Sequence, residues 1–506
     1  MWTFKQYDGF SPVLIRFGDT VFRKIILLPV NNSKLISLLK TLSLSEMKEF
    51  KDYVQSPFFN KNKKVVALFH HIRKFHPEYD NDSLTDESIS SALFPEMKHD
   101  YFKIRNLTSD LFALAKDFLS QIYFRDESIY YPAFLLEKLR EKNLNIIVEQ
   151  TLKHFKKQLS GEITKDEFYQ LRLTEMSKQE HFYQITKDPF GSHNYFQEDF
   201  DNFFEYALLR LLKFYCIMIH DKVQNNFSFD MKMFDQVIDF IRTTEKMKNP
   251  TLIVFSRIVL LVLEKKEEHF FKLKSLREEY SASLHREDRY MLDLYMSGFC
   301  ADVYNIQAGT DFQREHFQIS KNQFERDEMI VGKMLYPDFL IHVKIATRVD
   351  EFDWAEMFIN KYKDQIAEDE KQSCLNFCYG FMSYKKGQYE KAMDLLSRTN
   401  FRSNLLKTQV KVLLLQCYYE LGHDDQVLLM IDTFKKFLNR DTTVTEYYKN
   451  AFVQYLKISS DMLRVRELPK GKKRSYEIAR LEKEAANVLN NLFGIKLWLR
   501  EKLNEL

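Results

Sequence analysis

Three histidines within seven residues, His70, His71 and His76, and two cysteines one helical turn apart, Cys374 and Cys378, are groupings that could ligate a metal. Neither grouping completes a site. A zinc-binding helix of the protease type needs His-Glu-x-x-His, which the chain does not contain, and the three histidines do not share one helix face at ligand spacing. They read as part of a solvated helix face. Cys374 and Cys378 would share a face, yet no second Cys or His pair follows at finger-like spacing, so they read as small buried hydrophobes. A phosphate-cradling loop needs closely spaced glycines ahead of a helix, and neither G-x-G-x-x-G nor G-x-x-x-x-G-K-[ST] occurs. The charge-dense run Glu264-Lys265-Lys266-Glu267-Glu268 reads as an exposed helix end, and the basic run Lys470-Gly471-Lys472-Lys473-Arg474 as a solvated connection. No catalytic residue, metal or cofactor is expected, and the chain reads as a non-enzyme.

What remains is recognition of other macromolecules, and the elements that would position such surfaces follow from composition. The chain has 506 residues with only 12 Gly and 10 Pro, against roughly 7% and 5% in average proteins. The tight turns of sandwiches, barrels and βαβ units are therefore scarce, which leaves an all-α fold. At this length the chain exceeds what one hydrophobic core usually supports, so either several domains or one elongated stack is expected. The 45 Phe and 27 Tyr suit broad helix-to-helix interfaces. A net charge of +3 from 75 basic and 72 acidic residues gives no overall field that demands nucleic acid or an anionic membrane. Five scattered cysteines argue against a secreted disulfide framework. The longest apolar run, Leu252 to Leu263, is too short to span a bilayer and reads as a buried helix. The run Ile25 to Leu28 is too short for a signal peptide, so a cytoplasmic location without membrane contact is expected.

Along the chain, residues 1–32 stand apart, with β-rich runs at Val13–Phe17 and Val21–Leu28 around Gly18-Asp19. They form either a β-hairpin or an extension that is not part of the native start. Residues 33–124 carry helix-start signals, among them the capping box Ser43-x-x-Glu46 and Thr85 ahead of Asp86 and Glu87, and predict an N-terminal helical bundle. Within it, Val65, Leu68, Phe69, Ile72 and Phe75 fall on one arc of a helix whose other side carries Lys63, His70 and Lys74. Residues 125–330 continue as helices broken by short polar turns, with no Gly/Ser linker, and residues 331–506 contain a repeat.

The repeat is clearest from Tyr379 to Leu396. Gly380 and Ala392 are small enough to let two helices approach, Gly387 ends the first of them, and Tyr389 packs over the turn. Thirty-five residues on, Gly422 takes the place of Gly387, with Val427 and Ile431 where Ala392 and Leu396 stood, although Leu415 replaces Gly380. A weaker copy upstream has Phe352, Ala355 and Ile359. This pattern resembles the tetratricopeptide (TPR) repeat, a pair of helices recurring about every 34 residues. The chain departs from it in having Asn376 and Asn404 where the family has its opening Trp and closing Pro. Through Ser56-Pro57-Phe58-Phe59-Asn60-Lys61-Asn62-Lys63-Lys64 and Glu351-Phe352-Asp353-Trp354, the chain is also similar to a group of uncharacterised bacterial helical-repeat proteins. That likeness brings no activity.

The TPR resemblance implies a right-handed α-solenoid whose groove is lined by the first helix of each pair. Carried over, that lining comprises Lys344, Thr347, Arg348, Phe381, Tyr384, Lys385, Gln416 and Tyr419, a mixture of cations and aromatics suited to a protein or peptide partner. The alternative is that neighbouring helices fill the groove and the aromatics are core. A second resemblance links the string Leu84 to Pro95 and the helix Tyr101 to Leu119, with Arg105-Asn106-Leu107, to the winged helix-turn-helix domains of bacterial activators that also carry helical repeats. It implies a DNA-binding regulator in which Lys98, Lys103 and Arg105 approach phosphates or base edges. No β-hairpin wing follows Leu119, so a solvated bundle is preferred. The combined expectation is an all-α solenoid of TPR-like pairs behind a helical bundle, acting as a non-catalytic interaction scaffold.

Overall fold

The computed structural model describes residues 33–79, 84–96, 101–126, 130–225, 227–244, 247–307, 311–328 and 334–506. The expected extension at 1–32 lies outside the described residues. Every regular element among the described residues is helical and none is a strand. No helix among them is long and apolar enough to cross a membrane. The chain divides into two compact units, one gathering the described residues up to Lys157 with Glu175–Phe196, the other Gln158–Thr174 with Gln197–Leu506.

The first unit begins with α1 (Lys34–Leu39), α2 (Leu44–Gln55), α3 (Lys63–Ile72), α4 (Asp86–Leu93) and α5 (Tyr101–Asp126). Their starts follow local chemistry. Ser33, Asn62 and Thr85 cap α1, α3 and α4 by accepting from backbone N–H groups, and Ser43 and Glu46 complete the reciprocal capping box on α2. The stripe on α3 faces inward as its period requires, with Val65, Leu68, Phe69 and Ile72 fully buried. Phe50 stands at the centre, its ring 5.2 Å from Phe69 and 5.1 Å from Phe118, so that α5 closes over α2 and α3. Next come α6 (Tyr131–Glu141) and α7 (Asn145–Gly161), and α8 (Glu167–Lys187) follows, tied to α7 by the Tyr183 hydroxyl donating to the Asn145 carbonyl at 3.2 Å.

The second unit takes in all but the first turn of α9 (His193–Asn225), then α10 (Phe234–Thr243), α11 (Pro250–Glu264), α12 (Glu267–Glu279), α13 (Arg286–Gln307) and α14 (Asp311–Glu325). Helix α11 is the buried apolar run, opened by Asn249 as cap and Pro250 at its first position. Then come α15 (Tyr336–Arg348), α16 (Phe352–Tyr362), α17 (Glu368–Lys385), α18 (Tyr389–Ser397), α19 (Asn404–Glu420), α20 (Asp424–Arg440), α21 (Glu446–Glu467), α22 (Lys472–Ala486) and α23 (Ile495–Glu505). Each helix from α11 to α16 packs on the next, as does each from α17 to α23, and α17 also packs on both α15 and α19. The unit's core falls into three clusters, around Phe255, Phe270 and Phe299, around Phe339, Phe358 and Phe377, and around Phe434, Tyr455 and Trp498. One ionic cluster is buried in it. Arg277 meets Asp293 at 3.1 Å and Glu328 at 2.6 Å, and Arg289 meets Glu328 at 2.6 Å, joining α12 and α13 to the residues just after α14.

One turn recurs along the chain. After α17, Gly387 adopts φ +72° and Gln388 N–H donates to the Ser383 carbonyl at 2.9 Å; after α19, Gly422 at +71° does the same through His423 and Tyr418 at 2.9 Å. The residue after the left-handed one thus reaches back five positions, the closure that satisfies a helix's last carbonyls. Asp350 (φ 64°) repeats it after α15 through Glu351 and Ala346, Asp327 (φ 54°) after α14 through Glu328 and Gln323, and Asn143 (φ 57°) after α6 through Leu144 and Leu139. Asp and Asn are the side chains that tolerate this conformation best. Between the helices that the Gly387 turn joins, Gly380 permits close contact: a Cβ there would stand 3.0 Å from Leu396 Cγ.

Candidate partner-binding face

The helices α15, α17, α19 and α21 each open a pair, and the residues expected to line a groove lie on the first three. The structure separates them into two layers. Thr347 is fully buried with its hydroxyl donating to the Val343 carbonyl at 2.7 Å, Phe381 is 4% exposed and stacks with Phe377, and Gln416 and Tyr419 are 2% and 6% exposed. These four belong to the interior, not to an open groove. For Tyr419 the cover is α23: Trp498 packs edge-on at 5.1 Å, donates its Nε1–H to Glu420 at 3.1 Å, and lies 5.8 Å from Tyr455. Lys502 seals the same contact with Glu420 at 2.9 Å.

The other four remain at least partly open. Lys344, Arg348 and Tyr384 are half-buried and Lys385 is exposed. Lys344 Nζ donates to the buried Gln409 amide oxygen at 3.2 Å, linking α15 to α19. Burial, with Arg348 adding to it, pushes the Lys344 ammonium down to about 7. One turn further on, the Arg348 guanidinium sits 4.7 Å from the ring centre of Tyr304 on α13. Tyr384 makes an edge contact with Tyr389, and burial raises its phenol. None of Lys344, Arg348 and Lys385 forms an ion pair among the described residues, whereas Lys274 pairs with Glu315 and Lys457 with Glu484 in the same unit.

Three contributors escape a reading of spacing alone. His316 on α14 is 7% exposed, and burial followed by His342, Arg348 and Lys344 holds its imidazole down to about 3. Tyr304 and Gln409 come from α13 and α19. Nothing in the local sequence marks them, because helices distant in the chain bring them beside α15.

The remaining candidates are dispersed. Lys98 lies outside the described residues, and Lys103 and Arg105 are exposed on α5. The three histidines go to separate partners: His70 to Gln55 at 2.8 Å, His71 to Ser88 at 3.2 Å, and His76 Nε2 to the Leu42 carbonyl at 2.9 Å. Cys374 and Cys378 are buried free thiols, and burial pushes Cys374 up to about 12. Arg474, at the supposed solvated connection, is half-buried and donates to the carbonyls of Leu468 and Leu506. Comparison with protein-family models, curated proteins and solved structures finds no match for the chain.

Proposed function

We propose that the chain is a non-catalytic scaffold that holds a protein or peptide partner on the first helices of a right-handed stack of TPR-like pairs, with an N-terminal helical bundle ahead of it. The observation that carries this reading is the accessible layer of Arg348, Tyr384 and Lys385, two cations without ion pairs beside an aromatic ring, on the packed helices α15 and α17. Such a combination supplies both an apolar anchor and charge recognition. The recurring turn at Asp350, Gly387 and Gly422 supports the repeat, since it closes α15, α17 and α19 by the same hydrogen bond. Five free buried cysteines fit a reducing, cytoplasmic setting.

Affinity capture of the tagged chain from its native lysate, with and without nuclease, tests the reading. The informative variant is Arg348→Glu with Lys385→Glu, because both side chains reach solvent and their reversal spares the core. A protein that survives nuclease with the native chain and is lost from the variant supports the scaffold. Equal recovery by both chains overturns the assigned face. Recovery of nuclease-sensitive material alone favours the DNA-binding reading, in which Lys103 and Arg105 are the cations to replace.

A further inference from the structure

We infer that a cavity lined by α9, α11 and α13 binds a small neutral molecule of the phenol class, one aromatic ring bearing a hydroxyl. The cavity measures about 90 Å³, well below the roughly 300–1,000 Å³ of a drug-sized site, so a single ring is the body it takes. Ile219 of α9, Leu261 and Val262 of α11 and Phe299 of α13 give it apolar walls. Two polar side chains stand among them. Tyr295 of α13 is only 8% exposed, yet its hydroxyl makes no hydrogen bond among the described residues, and His220 at the rim makes none either. Their rings meet edge-on at 6.4 Å, which sets the two groups side by side on the lining.

Gly298 is the second observation. It lies in the interior of α13, where glycine weakens a helix relative to alanine, and it borders the cavity. Neither usual reason for a glycine applies there: its φ is not in the left-handed region, and a Cβ would meet no atom within 4 Å, whereas one at Gly380 would press on Leu396. A side chain at 298 would instead project into the space that the ligand needs.

The lining also selects for charge. Its charged side chains among the described residues are Lys265 and Asp302, which pair with each other at 2.8 Å. Partial burial lowers the His220 imidazole and leaves it neutral at physiological pH, and burial raises the Tyr295 phenol, which keeps its proton. An ion entering the cavity would find no counter-charge left over to replace its water. A neutral ring gives up little hydration and gains contact with Phe299 and Tyr295. Its hydroxyl can both donate and accept, so it meets the unspent capacity of Tyr295 and His220, which a purely apolar molecule would leave unsatisfied.

Titration of the full chain with phenol, followed by ligand-observed NMR, tests the site. Saturable binding with a Kd of about 1 mM or tighter is expected, and benzoate, which carries the same ring with a charge, should bind roughly tenfold more weakly or worse. Tyr295→Phe keeps the ring and removes the hydroxyl, and should weaken phenol binding by roughly threefold to tenfold. Gly298→Leu fills the cavity and should abolish saturable binding while raising the urea midpoint, because it replaces a glycine inside a helix. Gly298→Ala, which intrudes by one methyl group, should weaken binding as well and serves if the Leu variant does not fold. Lys272→Gln, at an exposed position of α12 outside the lining, leaves binding unchanged. No saturable binding of phenol by the native chain, binding that both Gly298 variants leave intact, or benzoate bound as tightly as phenol overturns the site.

Discussion

Lys344 links the proposed face to a measurable property of the fold. Its folded value, about 7, lies below the ordinary 10.5, so between these values the unfolded chain binds more protons than the folded one. Stability from this group therefore rises with pH across that window, and the strain of holding the ammonium is fully present below it. Lys344→Met should raise the urea midpoint at neutral pH and flatten its rise toward alkaline pH; a rise as steep as in the native chain would show that Lys344 is not its source. The left-handed turn residues make a second prediction. Gly422→Ala, at φ +71°, should destabilise by about 1 kcal/mol. Asp350→Gly, which relieves φ 64°, should be neutral or stabilise by a few tenths of a kcal/mol in the same urea titrations. Gly387 and Gly422 were legible because glycine ahead of a new helix has few other uses. Asp350, Asp327 and Asn143 make the same turn, yet Asp and Asn are equally at home on any exposed surface, so only the backbone reveals them.

Among the elements, helices whose apolar period and cap agree were legible from spacing: α2 starts at its capping box, α3 buries the expected stripe, and α11 follows Asn249-Pro250. The exposure of the first-helix positions was not legible in the same way. A first-helix position facing a neighbour and one facing solvent carry similar residues, and nothing local to Tyr419 says that α23, some eighty residues on, will cover it. Trp498 makes that cover, with two ring contacts and a hydrogen bond to Glu420. Trp498→Ala should cost about 3–5 kcal/mol in chemical denaturation. A loss well under about 1 kcal/mol would mean that α23 does not seal the contact over Tyr419.

At the scale of the whole molecule, the scarcity of Gly and Pro foretold that the described elements are helices, because few tight turns are available to build anything else. The buried cluster of Arg277, Asp293, Glu328 and Arg289 was not foreseeable, since residues up to 51 positions apart meet in it. Arg277→Met leaves two carboxylates in the interior and should destabilise the unit containing α12 to α14 by about 3–5 kcal/mol. Hydrogen exchange of those helices would report it, and unchanged protection would contradict the burial of the pair. The scaffold itself is tested most directly by placing a photo-crosslinking residue at position 385, on the face of α17, and in a second chain at position 436, an exposed site on the second helix α20. Irradiation in cells should yield a discrete protein adduct from 385 and none of that mass from 436. The same adduct from both positions, or from 436 alone, would contradict partner docking on the first helices.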